Sequence, residues 1–230
     1  MQEGLTINSK KIIPREYFRE YRFVFFFYII LLAVFMGVNM MLILNSDIAH
    51  QFELFSKNPL GIITSIFLQT SIFSVFVNVF STIFLLIILF LTISLSRIFG
   101  ASSDTVLLDE VVKLAWLIPI VSTIIVNVLM YLILYGYNLH VPRLSGFQVI
   151  IYAILGFTLG LLLYTFMKLR WSYKQYLIVS TLLSLSLVVL TFSTLLTEIS
   201  SSMLFDLSRF LNLLFGFVFI TILFNLKSHK

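Results

Sequence analysis

"NPLGIITSIFLQTSIFSVFVNVFSTIFLLIILFLTISLS" (residues 58–96) runs for 39 residues without a charged side chain. As one straight helix it would be about 58 Å long, nearly twice the roughly 30 Å hydrocarbon core of a bilayer. It therefore reads either as a tight hairpin of two membrane spans, or as a surface-lying segment leading into one span near Val75–Ser96. The choice sets the side of the membrane on which everything downstream lies. A hairpin needs a turn, and around Gln69–Asn78 there is no Gly or Pro. "NPLG" (58–61) is the only breaker and lies at the start. The expectation is one span over 75–96, with Ile62–Ser74 at the outer interface or in a tilted extension of the helix.

The rest of the chain has the same character. Of its 230 residues 60% are hydrophobic and 11% charged, whereas a soluble domain carries about 25% charged residues. The apolar blocks are continuous rather than alternating, and backbone in lipid must bond internally, so they read as helices and not as barrel strands. The expected fold class is all-α: a polytopic helical membrane bundle with six transmembrane helices at about 23–44, 75–96, 114–136, 146–167, 176–196 and 207–226. Residues 1–22 read as an amphipathic N-terminal segment, 23–226 as a single membrane domain and 227–230 as a tail. The first apolar run follows 22 charge-rich residues and is too long for a signal peptide, so it is expected to be a retained span.

Charge placement supports one span within 58–96. With six crossings and both termini inside, the Lys and Arg residues divide 12 inside to 3 outside (Lys57, Arg143, Arg209). A hairpin would divide them 7 to 8. The positive-inside rule favours six spans and a multi-pass plasma-membrane protein with both termini cytoplasmic. The net charge of +5 gathers at span ends, which suits a lipid surface and gives no reason to expect nucleic acid.

One inner connection then stands out, within "LSRIFGASSDTVLLDEVVKLAWLIPI" (95–120). Gly100 supplies a turn, Ser102 or Ser103 can cap a helix, and Asp104 lies near its positive end. Val106, Leu107, Val111 and Leu114 fall near one face; Asp109, Glu110 and Lys113 lie on another, with Asp109 and Lys113 at i,i+4. The segment reads as an amphipathic helix on the cytoplasmic interface. Either it is a connector resting on the surface, or Arg97, Gly100, Asp104, Asp109, Glu110 and Lys113 form a docking handle for a partner. "KKIIPREYFREYRF" (10–23) has a similar design: Tyr17, Phe18 and Tyr21 are interfacial aromatics, and Arg15, Arg19 and Arg22 suit anionic headgroups.

Within the spans, ionisable groups that would advertise chemistry or an ion path are missing. Asp206 and Arg209, spaced i,i+3, sit at the outer start of the last span, where a helix-end pair explains them. Glu198 lies at the outer end of the fifth. His50, His140 and His229 fall in outer loops and the tail, without a second ligand at metal spacing. The chain has no cysteine, hence no disulfide, thiolate metal site or thiol nucleophile. It also lacks a paired Glu, a membrane Gly-x-Ser with a membrane His, and a Walker lysine. No cofactor, metal or catalytic set is expected. "GFTLG" (156–160) places Gly156 and Gly160 on one helix face, for packing inside the bundle or for a dimer seam. Gln69, Asn78, Asn127 and the hydroxyls of "STLLSLS" (180–186) read as interhelical hydrogen-bonding groups.

Residues 60–190 resemble the bacterial Yip-type membrane domain. There a span ends in a small glycine turn, a short polar-aliphatic helix follows, and the next span begins near a proline. Gly100, Thr105–Lys113 and Pro119 match that layout, and "VPRLSGF" (141–147) and "KLRWSYKQ" (168–175) match its later links. The family usually has five spans, and its eukaryotic members' acidic-aromatic motif is not visible here. The resemblance implies a non-enzymatic accessory protein that binds another integral membrane protein, an ABC exporter among them, in protection against membrane-active peptides. Two other readings compete: a six-span ABC-type permease subunit with 97–113 as coupling helix, and a stand-alone immunity protein. The composition leans towards a low-GC Gram-positive bacterium.

Overall fold

The structure, a computed structural model, describes residues 15–54, 57–69, 71–99, 114–137, 147–168 and 203–228. Among these there are five long helices and no strand. Helix α1 begins at Arg15, directly after Pro14, and runs unbroken to Leu44. No Gly-Pro break separates the charged opening from the first apolar run, so residues 15–22 continue the span helix instead of forming a separate interfacial one.

Helix α2 (Ser46–Ala49) and a 3₁₀ turn (His50–Phe52) follow, then α3 (Gly61–Thr64) and a second 3₁₀ turn (Ser65–Phe67). The long helix α4 spans Ile72–Phe99. The charge-free stretch thus holds one long helix and not two. Leu68 is extended, with φ −80° and ψ 129°, and this breaks the chain before α4 with no Gly or Pro nearby. The start signal is Ser71, whose hydroxyl accepts the backbone N–H of Ser74 at 3.2 Å, an N-cap bond. Residues 62–67 are neither a surface helix nor an extension of α4. Ser65, Ile66 and Leu68 are buried, so the segment turns back into the bundle.

Helix α5 covers Leu117–Gly136. Pro119 lies in its first turn, where a missing N–H costs no intrahelical bond, and its carbonyl accepts the hydroxyls of Ser122 and Thr123. Helix α6 is Gln148–Lys168 and α7 is Met203–Ser228. The expected fifth span, 176–196, lies outside the described residues. Arg22–Leu44, Ile72–Ile93 and Leu117–Gly136 are long and apolar enough to cross a membrane, and Gln148–Tyr164 is a shorter apolar helix.

Helix directions follow from the contacts. Phe25 packs edge-on to Phe90 at 6.1 Å, while Met36, Met40 and Ile43 share a cleft with Ile72, Val75 and Phe76, so α1 and α4 are antiparallel. The start of α5 returns to the start of α1: Tyr28 Oη donates to the Ala115 carbonyl at 3.0 Å, and Trp116 packs on Phe23 and Phe27. That end of the bundle is called proximal here. The start of α1, the end of α4 and the start of α5 meet there. At the distal end Leu54 packs with Met130 and Leu134 of α5 and with Leu204 and Leu211 of α7.

Helices α6 and α7 both start distally and run parallel. Their contacts climb in step, from Arg209 on Gln148, through Gly216 between Ala153 and Phe157, to Phe217 and Ile220 at Gly160. Helix α6 is the core of the bundle. From Phe147 to Leu162 nearly every residue is buried, as expected of a helix apolar all round.

Candidate functional site

Two places carry charge or buried polarity. At the proximal end, the residues expected to dock a partner hang from the joined ends of α4 and α5. Arg97 falls in the last turn of α4, because the helix continues past the expected end at Ser96 to Phe99. Gly100, Asp104, Asp109, Glu110 and Lys113 lie outside the described residues. Their anchor points do not: Ile93 and Ala115 line one cleft with Val24 and Phe25, so the ends of α4 and α5 that the charged connection joins lie against α1. Of the expected surface anchors, Arg15, Tyr17, Phe18, Arg19 and Tyr21 fall in the first two turns of α1, and Arg22 is exposed.

The distal half of the bundle is unexpectedly polar. Residues 61–68 lie between α1 and α5, held by asparagine side chains on backbone carbonyls. Asn39 Nδ2 donates to the Phe67 carbonyl at 2.6 Å, and Asn127 Nδ2 to the Ile62 carbonyl at 2.8 Å. Before them Asn58 Nδ2 donates to the carbonyls of Gln51 and Glu53, each at 2.8 Å. Gly61 lies so close to the Glu53 carbonyl that a Cβ would overlap it. By helix rise, Asn127 stands about 13 Å below the distal end of α5. Irregular backbone at that depth is tolerated only where protein satisfies it, and the asparagines do so.

Arg209 is the one described cation inside this region. It is 5% exposed, one guanidinium nitrogen donates to Gln148 Oε1, the other reaches Asp206 Oδ1 at 3.4 Å, and the group lies over the Tyr152 ring at 5.6 Å. The Asp206 side chain is 60% exposed, so the i,i+3 pair faces outward on one side only. The stronger tie is the buried one, which joins α7 to α6. A planar, permanently charged group with several donors suits such a junction.

Just beyond it the helix backbones touch. A Cβ on Gly156 would overlap the Leu213 carbonyl, one on Gly160 the Ile220 side chain, and one on Gly216 the Ala153 carbonyl. Gly156 and Gly160 thus face α7 of the same chain. Gly216 completes the seam from the other side. Sequence reasoning passed over it, although Ser208, Asn212 and Gly216 form a small-polar stripe at i,i+4 spacing. Asn39 carries no local signal for its bond to Phe67, and the break at Leu68 needs neither Gly nor Pro. Asn78 is fully buried on α4.

Among the described residues no three of His, Asp and Glu converge as a metal site would require. The arrangement offers charge-assisted hydrogen bonding and close helix contact. Comparison with protein-family models, with curated proteins and with solved structures yields no match for the chain, and nothing outside the chain bears on the Yip-type resemblance.

Proposed function

We propose that this is a non-enzymatic, six-span accessory protein of the plasma membrane that works by contact with another integral membrane protein. The Yip-type resemblance makes an ABC exporter the expected partner and protection against membrane-active peptides the expected role. The observation that carries the proposal is the proximal junction, where Tyr28, Phe27, Ala115 and Trp116 bind the start of α1 to the start of α5. In this proposal the arginine-rich helix start and the mixed-charge connection 97–113, which joins α4 to α5 beside that junction, act as one composite surface on the cytoplasmic side, the side the positive-inside rule favours for them.

The parallel course of α6 and α7 supports the crossing number. The residue that ends α6 and the residue that begins α7 lie at opposite ends of the pair, so the connection must return over that length, as a span at 176–196 would. A second reading, a permease subunit with 97–113 as coupling helix, draws on the polar distal interior around Asn127 and Arg209. The cleft lined by Val24, Phe25, Leu86 and Ala115 holds about 20 Å³, room for water but not for a solute.

Copurification in mild detergent from native-level expression, read by mass spectrometry, tests the proposal. An ATPase together with a separate permease supports an accessory subunit, and Asp109→Lys with Glu110→Lys is then expected to weaken the association at least tenfold. An ATPase alone would make this chain the permease and sink the accessory reading. Because the chain has no cysteine, single cysteines at Ser102 and Lys57 map its sides: the first should react with a membrane-impermeant thiol reagent only in opened cells, the second in intact ones.

A further inference from the structure

We propose that the proximal cleft between α1 and α4 is the seat of one phospholipid with an anionic headgroup, its acyl chain lying along the cleft and its phosphate held by Arg22 and Arg97. The walls are apolar: Val24 and Phe25 of α1, Leu86, Phe90 and Ile93 of α4, and Ala115 just before α5. The enclosed part, about 20 Å³, is too small for a whole molecule. Phe25, however, stands at the rim against Phe90 and is 39% exposed. The cleft is therefore a furrow open towards lipid, and a flexible hydrocarbon chain can lie along it.

Acyl chains cover any apolar groove on a membrane protein, so the furrow alone selects nothing. Charge at its mouth does. Arg22 is exposed and lies three residues before Phe25, on the neighbouring strip of the same helix; Arg15 is two turns earlier on that strip. The acids of this helix start, Glu16 and Glu20, fall about 180° and 140° round from Phe25, away from the open side. On α4 the positions of Leu86, Phe90, Ile93 and Arg97 follow at intervals of four, three and four residues, which makes one stripe. Because α1 and α4 are antiparallel, Arg22, about 5 Å before Phe25, and Arg97, about 6 Å beyond Ile93, stand past the same mouth. Guanidinium groups grip phosphate through paired hydrogen bonds, and basic pockets between helix ends at a membrane surface take anionic headgroups. A zwitterionic headgroup would bring its own cation against them. The site requires α1 and α4 to be membrane spans and does not depend on a protein partner.

Brominated acyl chains, which quench a tryptophan they touch, test this. Trp116 adjoins Ala115 of the cleft wall and packs on Phe23 and Phe27, and Trp171 is the only other tryptophan. The full chain with Trp171→Phe is reconstituted in phosphatidylcholine containing increasing amounts of tail-brominated phosphatidylglycerol or, in parallel, tail-brominated phosphatidylcholine. The glycerol lipid is expected to reach half-maximal quenching at a several-fold lower mole fraction, and Arg22→Gln with Arg97→Gln should bring the two curves together. Lys168→Gln with Lys227→Gln removes the same charge from the ends of α6 and α7, at the same end of the bundle, and should leave the preference intact. Coincident curves in the parent chain, a preference that survives loss of both arginines, or its loss with the two lysines would each overturn the site.

Discussion

The α1–α4 seam and the α6–α7 seam are both helix pairs of apolar residues, yet they are held differently. Between α1 and α4 the contact is made by side chains, such as Phe25 on Phe90, and leaves clefts at both ends. Another side of α1 is open, with Phe26 and Ile30 each about 60% exposed. Between α6 and α7 the backbones meet through Gly156, Gly160 and Gly216, and a buried arginine closes the distal end. Lipid is as apolar as Leu, so burial from water stabilises neither seam; close packing and hydrogen bonds must. A helix rich in Phe stays at the rim, and the one with glycines becomes the core.

The comparison breaks most sharply at the glycines. Gly156→Leu places a side chain against the Leu213 carbonyl, which cannot move without its helix. The expected loss is about 3 kcal/mol or more, at the upper end of what overpacking costs, seen as a collapse of the thermal melting temperature in detergent. Arg209→Met keeps the volume and removes the guanidinium donor to Gln148 Oε1, with an expected loss of about 2 kcal/mol; Asp206→Asn, on the exposed partner, should cost well under about 1 kcal/mol. A melting series that ranks Asp206 above Arg209 would make the outward pair the important one. Asn127→Leu removes a tie to the Ile62 carbonyl and should cost about 1 kcal/mol, with faster proteolysis at 45–69 as its local sign. Phe26→Ala, on the open rim, should change stability by less than about 0.5 kcal/mol. A larger effect would mean that something packs on that face.

How much of this the sequence showed depends on the kind of signal. Five of the six expected spans overlap described long helices, because a run of apolar residues is a local property that lipid reads residue by residue. The single-span reading of 58–96 rests on charge placement and a missing turn and agrees with the described helix, yet the break at Leu68 is invisible to both arguments. Its cause is a Ser71 cap and two distant asparagines, and Asn39 and Asn127 lie 28 and 65 residues from the carbonyls they bind. Arg209 looked like an ordinary helix-end cation because its i,i+3 acid is adjacent in sequence. Gln148, the buried partner, is 61 residues away.

By itself, then, the amino-acid order determined that the chain is helical and apolar, where its long helices lie, and which residues are small enough to let helices meet. Only the tertiary structure decided which helix becomes the core, that α6 and α7 run parallel, and that residues 61–68 turn inward. Hydropathy and helix propensity act over a few turns of chain, whereas a carbonyl buried in a membrane protein must be satisfied by whichever side chain the fold brings to it.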